Sequence, residues 1–148
     1  MFLGIMKLCH IVLKILFAPF LFIIKPGLTT QMFFDNNIMY NFLYRIREKG
    51  ITVPVVAGIM PVTNVKQIKR ITSMSGTYLP ERFKAIVDRF GDNPAAMKQA
   101  GVIYATEQII DLIANDVTHI HIYTMNRPDI AGSIMTNLSK IIDGYEAE

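Results

Sequence analysis

The chain has 148 residues, 15 basic and 12 acidic, with a net charge of +3, and 51% of it is hydrophobic. That length bounds one domain with a sizeable core, and basic residues scattered among acidic ones argue against nucleic-acid binding. The one cysteine, Cys9, excludes an internal disulfide, no CxxC or Cys/His spacing supports zinc, and the body reads as cytoplasmic.

Residues 1–28 form an apolar, helix-like segment unlike the rest. Residues 11–24 (IVLKILFAPFLFII) are broken only by Lys14 and Pro19. Lys7, His10 and Lys14 precede the uncharged run 15–24, which is too short to span a bilayer, a task for roughly 20 residues. A basic start before a short apolar stretch resembles a signal peptide, yet Pro26-Gly27-Leu28 lacks the small-x-small cleavage pattern. Three readings stay open. Residues 1–25 contact a membrane as a weak anchor or uncleaved signal, or they pack on the domain as a buried helix, or they are foreign sequence joined to a truncated domain by a reading-frame change.

Residues 29–148 alternate strand and helix signals. Residues 29–34 predict a strand. Asp35 or Asn36 caps the helix that follows, whose apolar face is Ile38, Met39, Phe42, Leu43 and Ile46, and Gly50 ends it. Residues 52–57 predict a second, valine-rich strand that starts near Pro54. Asn64 with Gln67 makes a capping-box-like start for a helix with Val65, Ile68, Ile71 and Met74 inward, stopped by Gly76. Pro80 opens another, with Phe83, Ile86, Val87 and Phe90 inward. Asn93-Pro94 starts a long helix to about Ala114. Residues 118–124 predict the third strand, 129–142 the last helix, and 144–148 a frayed tail. The order β-α-β-α-α-α-β-α implies right-handed crossovers and a parallel sheet.

Three stretches share one design: an apolar run ending in polar residues at 28–36, 53–64 and 120–127. A parallel α/β barrel puts its chemistry at such strand ends. Other constellations have plain readings. His119 and His121 share a strand face with no third ligand beside them, Asp35 reads as a cap, and Glu107, Asp111 and Asp116 read as surface charges. The methionines read mostly as core.

TQMFFDN (30–36), AGIMPVTNVKQIKR (57–70), LPERF (79–83), AGVIYATEQIIDLI (100–113) and HIYTMNRP (121–128) together resemble methylenetetrahydrofolate reductase. The resemblance implies an α/β fold that is a partial TIM-type (β/α)8 barrel, about three C-terminal βα units. It implies FAD-dependent reduction of 5,10-methylenetetrahydrofolate to 5-methyltetrahydrofolate, with NAD(P)H as hydride donor. The family's proton donor and flavin-side groups belong to its N-terminal half, so no catalytic residue is assigned and the chain alone is expected to be inactive.

On the substrate side, Gln31 corresponds to the glutamine that bonds the pterin, and Gln67 to a second substrate-contacting glutamine. An amide offers a donor and an acceptor to a heterocycle's edge. Tyr123 and Met125 correspond to pocket-lining positions. Arg127 corresponds to an arginine near the folate tail, where a guanidinium suits a carboxylate. Ile71 stands where some members stack a phenylalanine on the ligand, which isoleucine does not do. Expected partners are folate and a complementary N-terminal half or a second copy. The alternative is a non-catalytic or membrane-tethered interaction protein, or one half of a split enzyme.

Overall fold

The computed structural model describes residues 27–145. The competing readings of residues 1–26, and the end of the tail, lie outside the described residues. The elements are β1 (Leu28–Thr29), α1 (Asn36–Glu48), β2 (Val55–Ile59), α2 (Val65–Ser75), α3 (Glu81–Phe90), α4 (Pro94–Ala114), β3 (Ile120–Ile122) and α5 (Pro128–Tyr145). The order is the one the sequence predicts. The strands pair in parallel as β1-β2-β3, with Leu28 opposite Val55 and Ala57 opposite Ile120. Parallel neighbours need crossovers, supplied by α1 and by the α2–α4 group.

The strands are shorter than their sequence signals. β1 was expected over 29–34, but its ladder ends at Thr30. The Thr30 N–H still donates to the Val56 carbonyl at 2.9 Å. The Gly58 N–H then donates to the Thr30 hydroxyl at 2.9 Å, so a side chain takes the place of the next main-chain acceptor. β2 begins just past Pro54, whose carbonyl accepts from the Leu28 N–H at 2.9 Å.

Alternation along the strands divides the sheet's two faces. Val55, Ala57 and Ile59, with Ile120 and Ile122 beside them, pack on Val102, Ile109 and Leu112 of α4 and on Ile130, Ile134 and Leu138 of α5. Val56, Gly58, His121 and Tyr123 therefore fall on the face away from these helices. A second core lies beyond the strand ends, built from Phe34, Met60, Val62, Ile68, Ile71, Phe83, Met97 and Tyr104. There Phe34 stacks on Phe83 at 4.9 Å between ring centres, and the Tyr104 hydroxyl donates to the Phe34 carbonyl at 2.6 Å.

Several apolar positions expected inward are not buried. Met74 is 72% exposed, Met125 65% and Met135 49%, so the methionines divide between core and surface. Ile38, Phe42 and Phe90 are also exposed, although each belongs to an apolar stripe. The last helix continues to Tyr145, past the expected stop near 142.

Asp35 caps α1 by accepting from the Asn37 N–H at 3.0 Å. Asp111 is exposed, as the sequence reading of a surface charge has it, and it also ties α4 to α1. The Asn36 amide and the Tyr40 hydroxyl each donate to its Oδ2 at 2.6 Å. These bonds hold the Asp111 carboxyl below its usual range. Burial, and then the bond to Asp111, push Tyr40 up to about 12. The folded state thus keeps a phenol proton that the unfolded chain releases near pH 10. That stabilisation is full below about pH 10 and disappears as pH rises through about 12. Urea midpoints followed from about pH 9 to 12 are expected to fall less steeply in Tyr40→Phe than in the parent chain; equal slopes would refute the coupling.

Candidate functional site

A cleft of about 460 Å³ opens beyond the C-terminal ends of β2 and β3, beside α2. That is ample for a heterocyclic ligand. Four of the five residues singled out from sequence, Gln67, Tyr123, Met125 and Arg127, line it together. Buried Met60, Pro61, Ile71 and Ile130 make an apolar floor. Gln31 does not line it. That residue stands just past Thr30 at the same strand end, exposed and with no hydrogen bond among the described residues.

Each placement has a local cause. Asn64 caps α2 by accepting from the Gln67 N–H at 2.9 Å. The Gln67 side chain folds back, and its Oε1 accepts from the Thr63 N–H at 3.1 Å. Its Nε2 reaches the Pro61 carbonyl only at 3.5 Å, the limit of a hydrogen bond. So the cap takes the amide's acceptor and leaves its donor nearly unspent toward the cleft.

Tyr123 lies across Gly58. Its hydroxyl donates to the Thr30 carbonyl at 3.0 Å, which is free because the Thr30 hydroxyl serves the Gly58 N–H. A Cβ on Gly58 would sit 2.6 Å from that carbonyl oxygen and 2.7 Å from the Tyr123 ring. Only glycine permits this crossing. Burial raises the Tyr123 hydroxyl above its ordinary pKa, so it stays a neutral donor or acceptor at neutral pH.

The loop after β3 turns sharply. Met125 and Asn126 both hold positive φ, 52° and 61°, a region that residues other than glycine enter at a cost. The turn brings Arg127 back over the strand ends. Its guanidinium donates to the buried Thr63 hydroxyl at 3.0 Å and to Asp129 at 3.3 Å. Asp129 also pairs with Lys98 of α4 at 2.7 Å. The Lys98 bond, reinforced by the charge of Arg127, keeps the Asp129 carboxyl below its usual range.

Thr63, Lys66, Arg70 and Met74 also line the cleft and were not singled out from sequence. A signal for them existed. Lys66, Gln67, Arg70, Ile71 and Met74 follow the i, i+1, i+4, i+5, i+8 spacing of one helix face, the face that carries Gln67. Among the described residues no carboxylate lines the cleft.

The two helix starts beside the cleft offer no ready seat for a flavin's pyrophosphate. A pyrophosphate needs free N–H groups. At α2 the Gln67 and Thr63 N–H groups are already bonded, and the first turn of α5 carries Asp129. Among the described residues no three His, Cys, Asp or Glu side chains gather to hold a metal. The His121 ring meets Tyr123 edge-on at 4.6 Å, and His119 Nδ1 lies 3.3 Å from the Thr118 hydroxyl. No helix among the described residues is long and apolar enough to cross a membrane.

Comparison with known proteins gives a consistent picture. The family model described as methylenetetrahydrofolate reductase matches residues 27–139. Methylenetetrahydrofolate reductase (NADH) 1 of Zea mays is 36% identical over 114 residues, covering 77% of this chain and 19% of the relative. Its Arabidopsis thaliana counterpart is 35% identical over 114 residues, with the same coverage. The 5,10-methylenetetrahydrofolate reductase of Escherichia coli (strain K12) is 31% identical over 109 residues, covering 74% of this chain and 37% of the relative. The chain thus spans about a fifth of the plant proteins and little more than a third of the bacterial one.

Proposed function

The chain belongs to the methylenetetrahydrofolate reductase family, and on that premise we propose that it forms the folate-binding wall of such a site, as about three βα units of a partial barrel. The convergence of Gln67, Tyr123, Met125 and Arg127 on one cleft carries this reading. Aligned roles follow from their surroundings. The apolar floor and the Tyr123 ring take the flat pterin. The nearly unspent Gln67 amide donor, and Gln31 at the neighbouring strand end, address its polar edge. Met125 covers the ligand from the loop, and Arg127, pre-aimed by Thr63 and Asp129, takes a carboxylate of the tail.

In the family's reaction, FAD supplies the hydride step and NAD(P)H the hydride. The described residues do not build the flavin's cradle, so on this reading the flavin and the proton donor belong to a complementary N-terminal half. The sheet supports such a partner, because among the described residues β1 and β3 are its two edge strands and edge strands invite pairing. We assign residues 29–148, together with Leu28 of β1, to the partial barrel and leave the residues before them as a separate apolar segment.

Calorimetric titration of the chain with folate tests the reading. Binding is expected, and Arg127→Ala should weaken it about tenfold or more, the scale of a lost charged hydrogen bond. The chain alone should show no folate-dependent NADH oxidation. Absence of folate binding by a folded parent chain, or an Arg127→Ala variant that binds equally well, would sink the proposal.

A further inference from the structure

Resting on the folate reading above, we propose that Met74 and Met125 are a modification site. Oxidation of their thioethers to sulfoxides by hydrogen peroxide weakens ligand binding, so the cleft carries a reversible redox control.

Three observations carry this inference. First, the cleft is rich in methionine. Met32, Met60, Met74 and Met125 all line it, one beyond the end of each strand and one in the last turn of α2. Second, these methionines differ in access. Met74 is 72% exposed and Met125 65%, whereas Met60 is 5%. Peroxide has to reach a sulfur to oxidise it, so exposure sets the order of attack. Third, the change falls where the ligand is to be covered. A thioether gives a flat ring soft apolar surface, while a sulfoxide is polar and chiral. Covering it strips water from its oxygen, a cost that the thioether does not carry. Met135 on α5 is 49% exposed and does not line the cleft, which makes it an internal control.

The step needs no catalytic group from the protein. A sulfur lone pair attacks one peroxide oxygen, and the S–O bond forms as the O–O bond breaks. The departing hydroxide takes the remaining proton and leaves as water. Sulfur loses two electrons and peroxide gains them. The reverse step is the work of methionine sulfoxide reductases, one for each sulfoxide epimer. Two electrons from a dithiol return the oxygen as water, and the dithiol becomes a disulfide.

The test treats the intact chain with dilute hydrogen peroxide, maps sulfoxides by peptide mass spectrometry and titrates folic acid by calorimetry. Met74 and Met125 should oxidise ahead of the buried Met39, Met60 and Met97. Affinity for folic acid should fall about fivefold or more as they do. Both sulfoxide reductases, with dithiothreitol, should restore it. A Met74→Leu/Met125→Leu chain, whatever its starting affinity, should bind equally before and after treatment. Met135→Leu should lose affinity as the parent does. Circular dichroism checks that each sample is folded. Unchanged affinity once Met74 and Met125 are fully oxidised, or a loss that persists in the Met74→Leu/Met125→Leu chain, overturns this inference and leaves the folate reading standing. Failure of the folded, untreated parent chain to bind folic acid overturns the folate reading itself, and the redox control with it.

Discussion

Replacing Gly101 with alanine is expected to destabilise the chain by about 2–3 kcal/mol or more. Gly101 is buried in α4, where the helix crosses the end of β2, and a Cβ there would overlap the Val62 carbonyl oxygen. The obstacle is main chain rather than a movable side chain. The helix has to retreat, and it carries Val102, Ile109 and Leu112 of the main core and Tyr104 of the second. Propensity pulls the other way. In an open helix position alanine is more stable than glycine by about 1 kcal/mol. The two effects therefore differ in sign, and a urea melt decides between them. A stabilised Gly101→Ala chain would mean that α4 and β2 do not approach as described.

The second large effect is expected at Gly58. A methyl group there meets the Thr30 carbonyl at 2.6 Å and the Tyr123 ring at 2.7 Å. The ring can swing away, but only by giving up the hydroxyl bond to Thr30 and with it the wall of the cleft. Gly58→Ala should cost about 1–3 kcal/mol of stability and weaken folate binding several-fold. Tyr123→Phe removes only the hydroxyl and should cost about 1 kcal/mol, with the ring left in place. A Gly58→Ala chain with parent stability and parent binding would show that Tyr123 does not depend on that crossing.

Much of this fold was legible in the sequence because its signals are local. Asp35, Asn64 and Asn93 announce their helices by cap chemistry, and each accepts from the N–H groups expected of a cap. The valine-rich run after Pro54 becomes the central strand, with the Val55, Ala57 and Ile59 face packed on helices. What the sequence hid depends on tertiary geometry. Nothing local says that the Thr30 hydroxyl will replace its own carbonyl in the ladder and end β1 early. Periodicity places Phe42 and Met74 on apolar stripes but not what covers those stripes.

The site divides in the same way. Gln67, Tyr123, Met125 and Arg127 were found through their motifs. Lys66 and Arg70 were not singled out, although they share a face with Gln67. Asp111 was passed over too, because its partners Asn36 and Tyr40 lie more than seventy positions away. Gln31, singled out by motif, stands at the right strand end but outside the cleft's lining.

The loop of Met125 and Asn126 has one more consequence. Two successive left-handed residues, neither of them glycine, hold the turn that precedes Arg127, at a cost of about 1–3 kcal/mol for Met125 and less for asparagine, which enters this region more readily. Glycine at the first position would keep the same backbone turn and remove most of that cost, so a sturdier chain is open to selection here without moving Arg127.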